Sequence, residues 1–173
     1  MKRTLVLVRH GKSSREEEGL SDRARPLAPR GLRDAPLMGG RLAREGVMPD
    51  LILSSPACRA LSTARLIAEE LGYPISRIAV DDRLYGSDAD TLLEMTGELA
   101  ETLGCVMLVG HDPEFTALAR SFCGKITRMP TCAVARFTFE APSWSELAAQ
   151  PPKGVTLDYP KLHRDGQGHK HRP

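Results

Sequence analysis

Residues 5–8 read Leu-Val-Leu-Val, apolar on both alternating faces, and the run stops abruptly in Arg9-His10-Gly11. Four aliphatic residues are too few for a helix, and a strand that is apolar on both faces must be covered on both sides. That is the situation of a central strand in a parallel sheet flanked by helices. Further runs of the same kind follow in "DLILSS" (50–55), "IAV" (78–80) and "CVMLVG" (105–110), with helix-period patterns between them. The alternation predicts an α/β fold with a mostly parallel central sheet and helices on both faces.

The connecting segments carry helix signals. Asp34 is a candidate N-cap for a helix over about 35–45 that buries Met38 and Leu42 and ends at Gly46, with Pro36 tolerable only in its first turn. Ser55-Pro56 is a cap followed by a proline, opening a helix that carries Ala57, Leu61, Ala64, Ile67, Ala68 and Leu71 to Gly72. Ser87 or Asp88 can cap a helix through about 102, and His111-Asp112-Pro113 opens another with Phe115, Leu118, Ala119 and Phe122 inward. Beyond these, "CAVARFTFE" alternates in strand fashion and "GVTLDY" can return beside it as an antiparallel addition. One domain over residues 1–160 is expected, followed by a basic, flexible tail, 161–173, in which Lys161, Arg164, Lys170 and Arg172 face Asp165 alone.

Several functions are argued against at this level. Gly11-Lys12-Ser13 resembles the end of a nucleotide-binding P-loop, but Val6 stands where that loop needs its first glycine. A net charge of +2 is too mild for a nucleic-acid binder. No apolar run approaches the length of a membrane span, and no N-terminal stretch has signal-peptide form. Cys58, Cys105, Cys123 and Cys132 form no C-x-x-C pair and read as reduced thiols of a cytoplasmic protein. None has an arginine six residues on, as a cysteine-phosphatase loop requires; Ala64, His111, Met129 and Thr138 stand there. His163, His169 and His171 lack a cysteine or second carboxylate to complete a metal site, so no metal and no cofactor are expected.

Three strand exits carry chemistry. The first delivers Arg9 and His10, the second leads to Arg59 just inside its helix, and the fourth ends at His111. In a parallel sheet these exits share one edge, where ligands bind. The segments "LVLVRHGKS", "LILSSPACRALSTA" and "VMLVGHDPEF" together resemble the histidine phosphatase superfamily, whose fold is phosphoglycerate-mutase-like. Chain length, "RPLAPRG" and "DDRLYGSD" are most similar to its small SixA-type phosphohistidine phosphatases. The resemblance implies that His10 is the phosphorylated nucleophile and that Arg9, Arg59 and His111 complete the phosphate pocket.

The residue chemistry agrees with that implication. Phosphoryl transfer spreads charge over equatorial oxygens, which two guanidinium forks can meet without a metal. Nearby arginines also disfavour protonation of His10, and a nucleophilic imidazole has to be neutral; the Gly11 carbonyl is a candidate to hold its other nitrogen. Gly11 and Arg25 are further candidate substrate contacts.

One departure bears on substrate. Many relatives place a general-acid glutamate after the third strand, whereas here Leu84 is followed by Tyr85-Gly86. Asp22, Asp82, Asp88 and Asp112 remain as possible acids, with Asp22 and Asp82 foremost. A phosphoramidate needs less help to leave than an alkoxide, so a metal-independent hydrolase acting on a phosphorylated histidine-containing protein is favoured. The alternatives are a phosphatase or mutase acting on small phosphate esters, and a phosphate- or phosphohistidine-binding module without turnover.

Overall fold

The computed structural model describes residues 1–163. Its six strands, β1 (Lys2–Arg9), β2 (Leu51–Ser54), β3 (Ala79–Val80), β4 (Cys105–Gly110), β5 (Val134–Glu140) and β6 (Gly154–Asp158), lie in one sheet in the order β3-β2-β4-β1-β5-β6. The pairings β2–β3, β2–β4 and β1–β4 are parallel, while β5 is antiparallel to β1 and β6 to β5. Four helices, α1 (Pro29–Arg44), α2 (Cys58–Leu71), α3 (Ala89–Gly97) and α4 (Glu114–Phe122), cover the sheet.

Two-sided burial of β1 is complete: Leu5, Val6, Leu7 and Val8 each have 0% exposure. Leu5 and Leu7 join Leu108 and Phe137 under α3 and α4, where Leu92, Met95, Phe115 and Leu118 pack. On the other face Val6, Val8, Ile52 and Val109 meet Met38 and Leu42 of α1 and Ala64 and Ile67 of α2. An aliphatic run without alternation thus encodes a strand with a helical layer on each side. Its register sets the site, because Arg9 pairs with Gly110 and Ser54 with Val109, so the exits of β1, β2 and β4 end at one level.

Several boundaries differ from the sequence-based expectation. α1 begins at Pro29 with Ala28 as its N-cap, and Asp34 is a buried residue inside the helix rather than its cap. Pro29 takes the first helical position, for which its fixed φ is suited, and Pro36 is absorbed in the interior. The early start also needs Gly31: a Cβ there would come within 2.4 Å of the Lys12 carbonyl oxygen, where the loop after β1 crosses the helix. α2 starts at Cys58 with Ala57 as its cap, so Ser55 and Pro56 lie before the helix. α3 stops at Gly97, short of residue 102, although Asp88 does cap it, accepting from the Thr91 amide at 2.8 Å.

The four cysteines are unpaired. No helix among the described residues is long and apolar enough to cross a membrane. Residues 161–163, placed in the flexible tail by the sequence, form a helical turn in which His163 bonds the Asp158 carboxylate at 2.6 Å. The rest of that tail, with His169 and His171, lies outside the described residues.

Candidate active site

β1 ends by handing the chain to two neighbours at once. The His10 amide donates to Gly110 O at 2.9 Å, and the His10 carbonyl accepts from the Cys132 amide at 2.9 Å. Pinned on both sides, His10 turns its ring toward its own chain, and Nδ1 lies 2.7 Å from the Gly11 carbonyl oxygen. A carbonyl can only accept, so Nδ1 carries the proton and Nε2 keeps its lone pair. Burial, and then the charges of His111, Arg59 and Arg9, push the pKa of His10 down to about 3 against the pull of the Gly11 bond. His10 is therefore neutral across the physiological range.

The Gly11 amide is taken by Thr63 Oγ1 of α2 at 3.0 Å, and that hydroxyl donates to the Arg59 carbonyl at 2.8 Å. Gly11 thus serves as an internal tie for the His10 ring and α2; its backbone donor is not turned to the cleft, against the expectation of a substrate contact. Gly11 also lies close to α1, since a Cβ on it would meet Gly31 Cα at 3.1 Å.

Arg59 sits in the first turn of α2, near amides that favour an anion. It is 6% exposed; Nη1 donates to the Asp22 carbonyl at 2.6 Å and Nη2 to the Asp22 carboxylate at 3.0 Å, while its buried Nε has no partner among the described residues. Arg9 is held by Met129 O at 2.9 Å and lies 3.8 Å from the Asp112 carboxylate, and its Nε is likewise buried and without a partner among the described residues. His111 leaves β4 with its ring centroid 5.0 Å from that of His10, and its Nε2 is 2.7 Å from Ser55 Oγ. Burial, then the Arg59 charge, pushes its pKa down to about 4. Sequence reasoning had treated Ser55 only as a helix cap; its hydroxyl bonds both His111 and the Ala57 amide.

These side chains line an open cleft of about 470 Å3. Arg25 also lines it, donating to Ser13 Oγ at 2.9 Å and to Asp22 at 2.9 Å. Lys12, Ser13, Arg15 and Tyr85, absent from the sequence-derived set, are on its wall as well. The candidate acids separate clearly. Asp82 is outside the cleft, its side chain 85% exposed and 3.9 Å from Arg23. Asp22 is inside, but the Tyr85 hydroxyl donating at 2.7 Å, with Arg25 and Arg59, holds its carboxyl well below the usual carboxylate range. It stays ionised and has no proton to give. Asp88 is spent on the α3 cap, and Asp112 accepts from the Thr116 amide and hydroxyl at the start of α4.

Glu114 is a cleft carboxyl that sequence reasoning passed over. It is 8% exposed, and burial, with Asp112 nearby, pushes its pKa up. The signal in the sequence was slight: a glutamate three residues beyond His111, on the first turn of a helix, where the ordinary reading is a favourable dipole charge. Gly86 also lines the cleft with φ at +72°, a conformation that a glutamate would adopt only with strain. Among the described residues, no cluster of three or more histidines, cysteines or acids is arranged to hold a metal ion.

The arrangement can bind a tetrahedral oxyanion between two guanidinium groups and present an unprotonated imidazole nitrogen to it. Known proteins resemble this chain in sequence and in fold. An uncharacterized Mycobacterium tuberculosis protein is 38% identical over 112 residues, 65% of this chain and 67% of its own length. A 2,3-bisphosphoglycerate-dependent phosphoglycerate mutase of a Methylobacterium species is 39% identical over 92 residues, 50% of this chain and 44% of the mutase. In three dimensions, a protein from Agrobacterium tumefaciens assigned as the phosphohistidine phosphatase SixA superposes with a TM-score of 0.73 at 26% identity, covering 79% of this chain and 92% of that one. A protein histidine phosphatase SixA complexed with tungstate gives 0.69 at 24% identity over 90% of this chain and 94% of that one. Residues 5–102 match the model of histidine phosphatase superfamily branch 1, and the chain, with His10 and Arg59 inside that span, belongs to this superfamily.

Proposed function

We propose that the protein is a protein phosphohistidine phosphatase that works through a phosphorylated His10. The observation that carries this reading is the state of His10: neutral, its Nδ1 tied to the Gly11 carbonyl, and, among the described residues, its Nε2 free on a cleft where two buried arginine Nε groups lack partners. Nε2 attacks phosphorus; the new N–P bond forms as the bond to the leaving imidazole breaks, and the leaving group takes up a proton. Arg9 and Arg59 meet the charge on the equatorial oxygens, and His111, held by Ser55, adds a contact as the fourth member of the pocket. Water then attacks phosphorus from the opposite side, releasing inorganic phosphate and returning neutral His10.

Three features support a phosphohistidine substrate. Gly86 stands where the resemblance to the superfamily implies a general-acid glutamate in many members, a phosphoramidate leaves with less proton assistance than an alkoxide, and the cleft is open. The SixA protein of similar fold was solved in complex with tungstate, an oxyanion, which is in keeping with a phosphate-binding role for this one. A second reading, a phosphatase for small esters, is favoured by one observation: Glu114 is the cleft carboxyl that burial biases toward its protonated form, as a donor to an alkoxide would need.

Rapid quench with 32P-labelled substrate tests the nucleophile. Acid-labile label on the wild-type protein and none on His10→Ala is expected; acid-stable label, or label on the variant, removes His10 from that role. Turnover of a phosphohistidine protein against a panel of alkyl phosphates separates the two substrate readings.

A further inference from the structure

The active-site cleft does not end at its own wall. Thr131 lines it and also lines a second cleft of about 500 Å3, formed by the start of α1, the 125–131 loop before β5 and the segment after β6. Four cationic side chains, Arg30, Lys125, Arg128 and Lys161, line this second cleft, and among the described residues no carboxylate does. Arg30 stands at the divide, donating to Thr131 Oγ1 at 3.2 Å, with its Nε 4.0 Å from buried Asp34. Among the described residues, Lys125, Arg128 and Lys161 have no ion-pair partner, whereas nearby Asp158 is engaged by Arg41 and His163. In a chain of net charge +2, this is a local concentration of positive charge, uncompensated among the described residues, on a cleft that shares Thr131 with the active site. Leu157, Tyr159 and Pro160 add apolar wall to it.

We propose that this second cleft docks an acidic segment, bearing aspartate or glutamate side chains, of the protein whose phosphohistidine enters the first cleft. The inference rests on the reading of the first cleft given above. Charge complementarity selects an anionic occupant, and cations around a wall shared with the active site give most to a ligand whose negative groups flank the phosphoryl group. Two adjoining open clefts suit an extended chain, and the apolar wall suits the stems and backbone of a peptide. A polyphosphorylated small molecule is the competing occupant.

The experiment uses two synthetic peptides of equal length, phosphorylated on histidine, one flanked by glutamates and the other by glutamines. 4-Nitrophenyl phosphate reports on the first cleft alone. The variant is Lys125→Glu/Lys161→Glu, which spares Arg30 and Arg128 beside the catalytic cleft. For the wild type, kcat/KM should favour the glutamate peptide on the order of tenfold, through KM, and the preference should shrink as salt shortens the screening length. The variant should lose or invert the preference while its rate on 4-nitrophenyl phosphate stays within about twofold, the scale of weak surface charge effects. Equal use of both peptides by the wild type, or a variant that slows the aryl ester as much as the peptides, overturns the proposal.

If wild type hydrolyses the aryl ester but neither peptide, the phosphohistidine reading fails on its own account. The docking cleft is then judged by binding of the unphosphorylated glutamate peptide and of tripolyphosphate. Salt-sensitive peptide binding lost in the variant supports the proposal. No peptide binding, or tripolyphosphate binding alone, overturns it.

Discussion

Arg59→Lys is the substitution that most directly tests the phosphate pocket. Lysine keeps the charge but replaces a planar fork with a single flexible ammonium. In the structure two of the three guanidinium nitrogens reach Asp22, at 2.6 and 3.0 Å, and the buried third has no partner among the described residues, so the group is oriented before any ligand arrives. In the transition state the fork can give two parallel N–H bonds to the phosphoryl oxygens, and lysine can replace only one. A charge-assisted hydrogen bond contributes about 1.5–3 kcal/mol. One lost bond therefore lowers kcat/KM about 10- to 100-fold, and loss of the fixed orientation extends the decline to about 10²-fold or more, the scale of a removed oxyanion donor. The assay is steady-state hydrolysis of 4-nitrophenyl phosphate, with orthovanadate inhibition as a readout of oxyanion binding and urea unfolding as the control for folding. A loss under about threefold with unchanged vanadate affinity, the scale of a surface ion pair, would refute the reasoning.

Three further outcomes are expected. His10→Ala should abolish turnover and phosphoenzyme formation while leaving urea unfolding near wild type, and a cooperative fold without activity in that variant is the supporting result. Acid should destabilise the protein through His10 and His111: their folded pKa values of about 3 and about 4 lie below the unfolded value near 6.5, so the unfolded chain binds more protons in that window. Stability is then present above about pH 6.5 and falls as pH drops, by about 2 kcal/mol for each histidine by pH 5; unfolding of His10→Ala across this range should show a shallower slope. Finally, log kcat/KM for a series of esters should fall steeply with leaving-group pKa if no strong acid operates. A flat line that becomes steep in Glu114→Gln would show that Glu114 donates the proton and would move the assignment toward small esters.

The aliphatic runs by themselves determined the parallel part of the sheet, because a strand buried on both faces leaves an unbroken apolar signature that requires no knowledge of its partners. The placement of Arg9, His10, Arg59 and His111 on one cleft followed from the same pattern, since parallel strands end at a common edge; β1 and β4 register Arg9 against Gly110. Helix starts were less legible. α1 opens at Pro29 with Ala28 as its cap, Asp34 is buried inside it, and the helix passes the loop after β1 so closely at Gly31 that a Cβ there would meet the Lys12 carbonyl, a crossing that no local pattern announces.

The proton inventory of the cleft was decided by the tertiary structure alone. Asp22 and Glu114 are both acidic residues in polar stretches of sequence, yet Tyr85, Arg25 and Arg59 converge to keep the first ionised, and burial pushes the pKa of the second up. The basic cleft draws its cations from residues 30, 125, 128 and 161, which no local pattern connects. Propensity and apolar period act between near neighbours and are written along the chain. A pKa or an electrostatic field sums over groups brought together from distant segments, and exists only once the chain has folded.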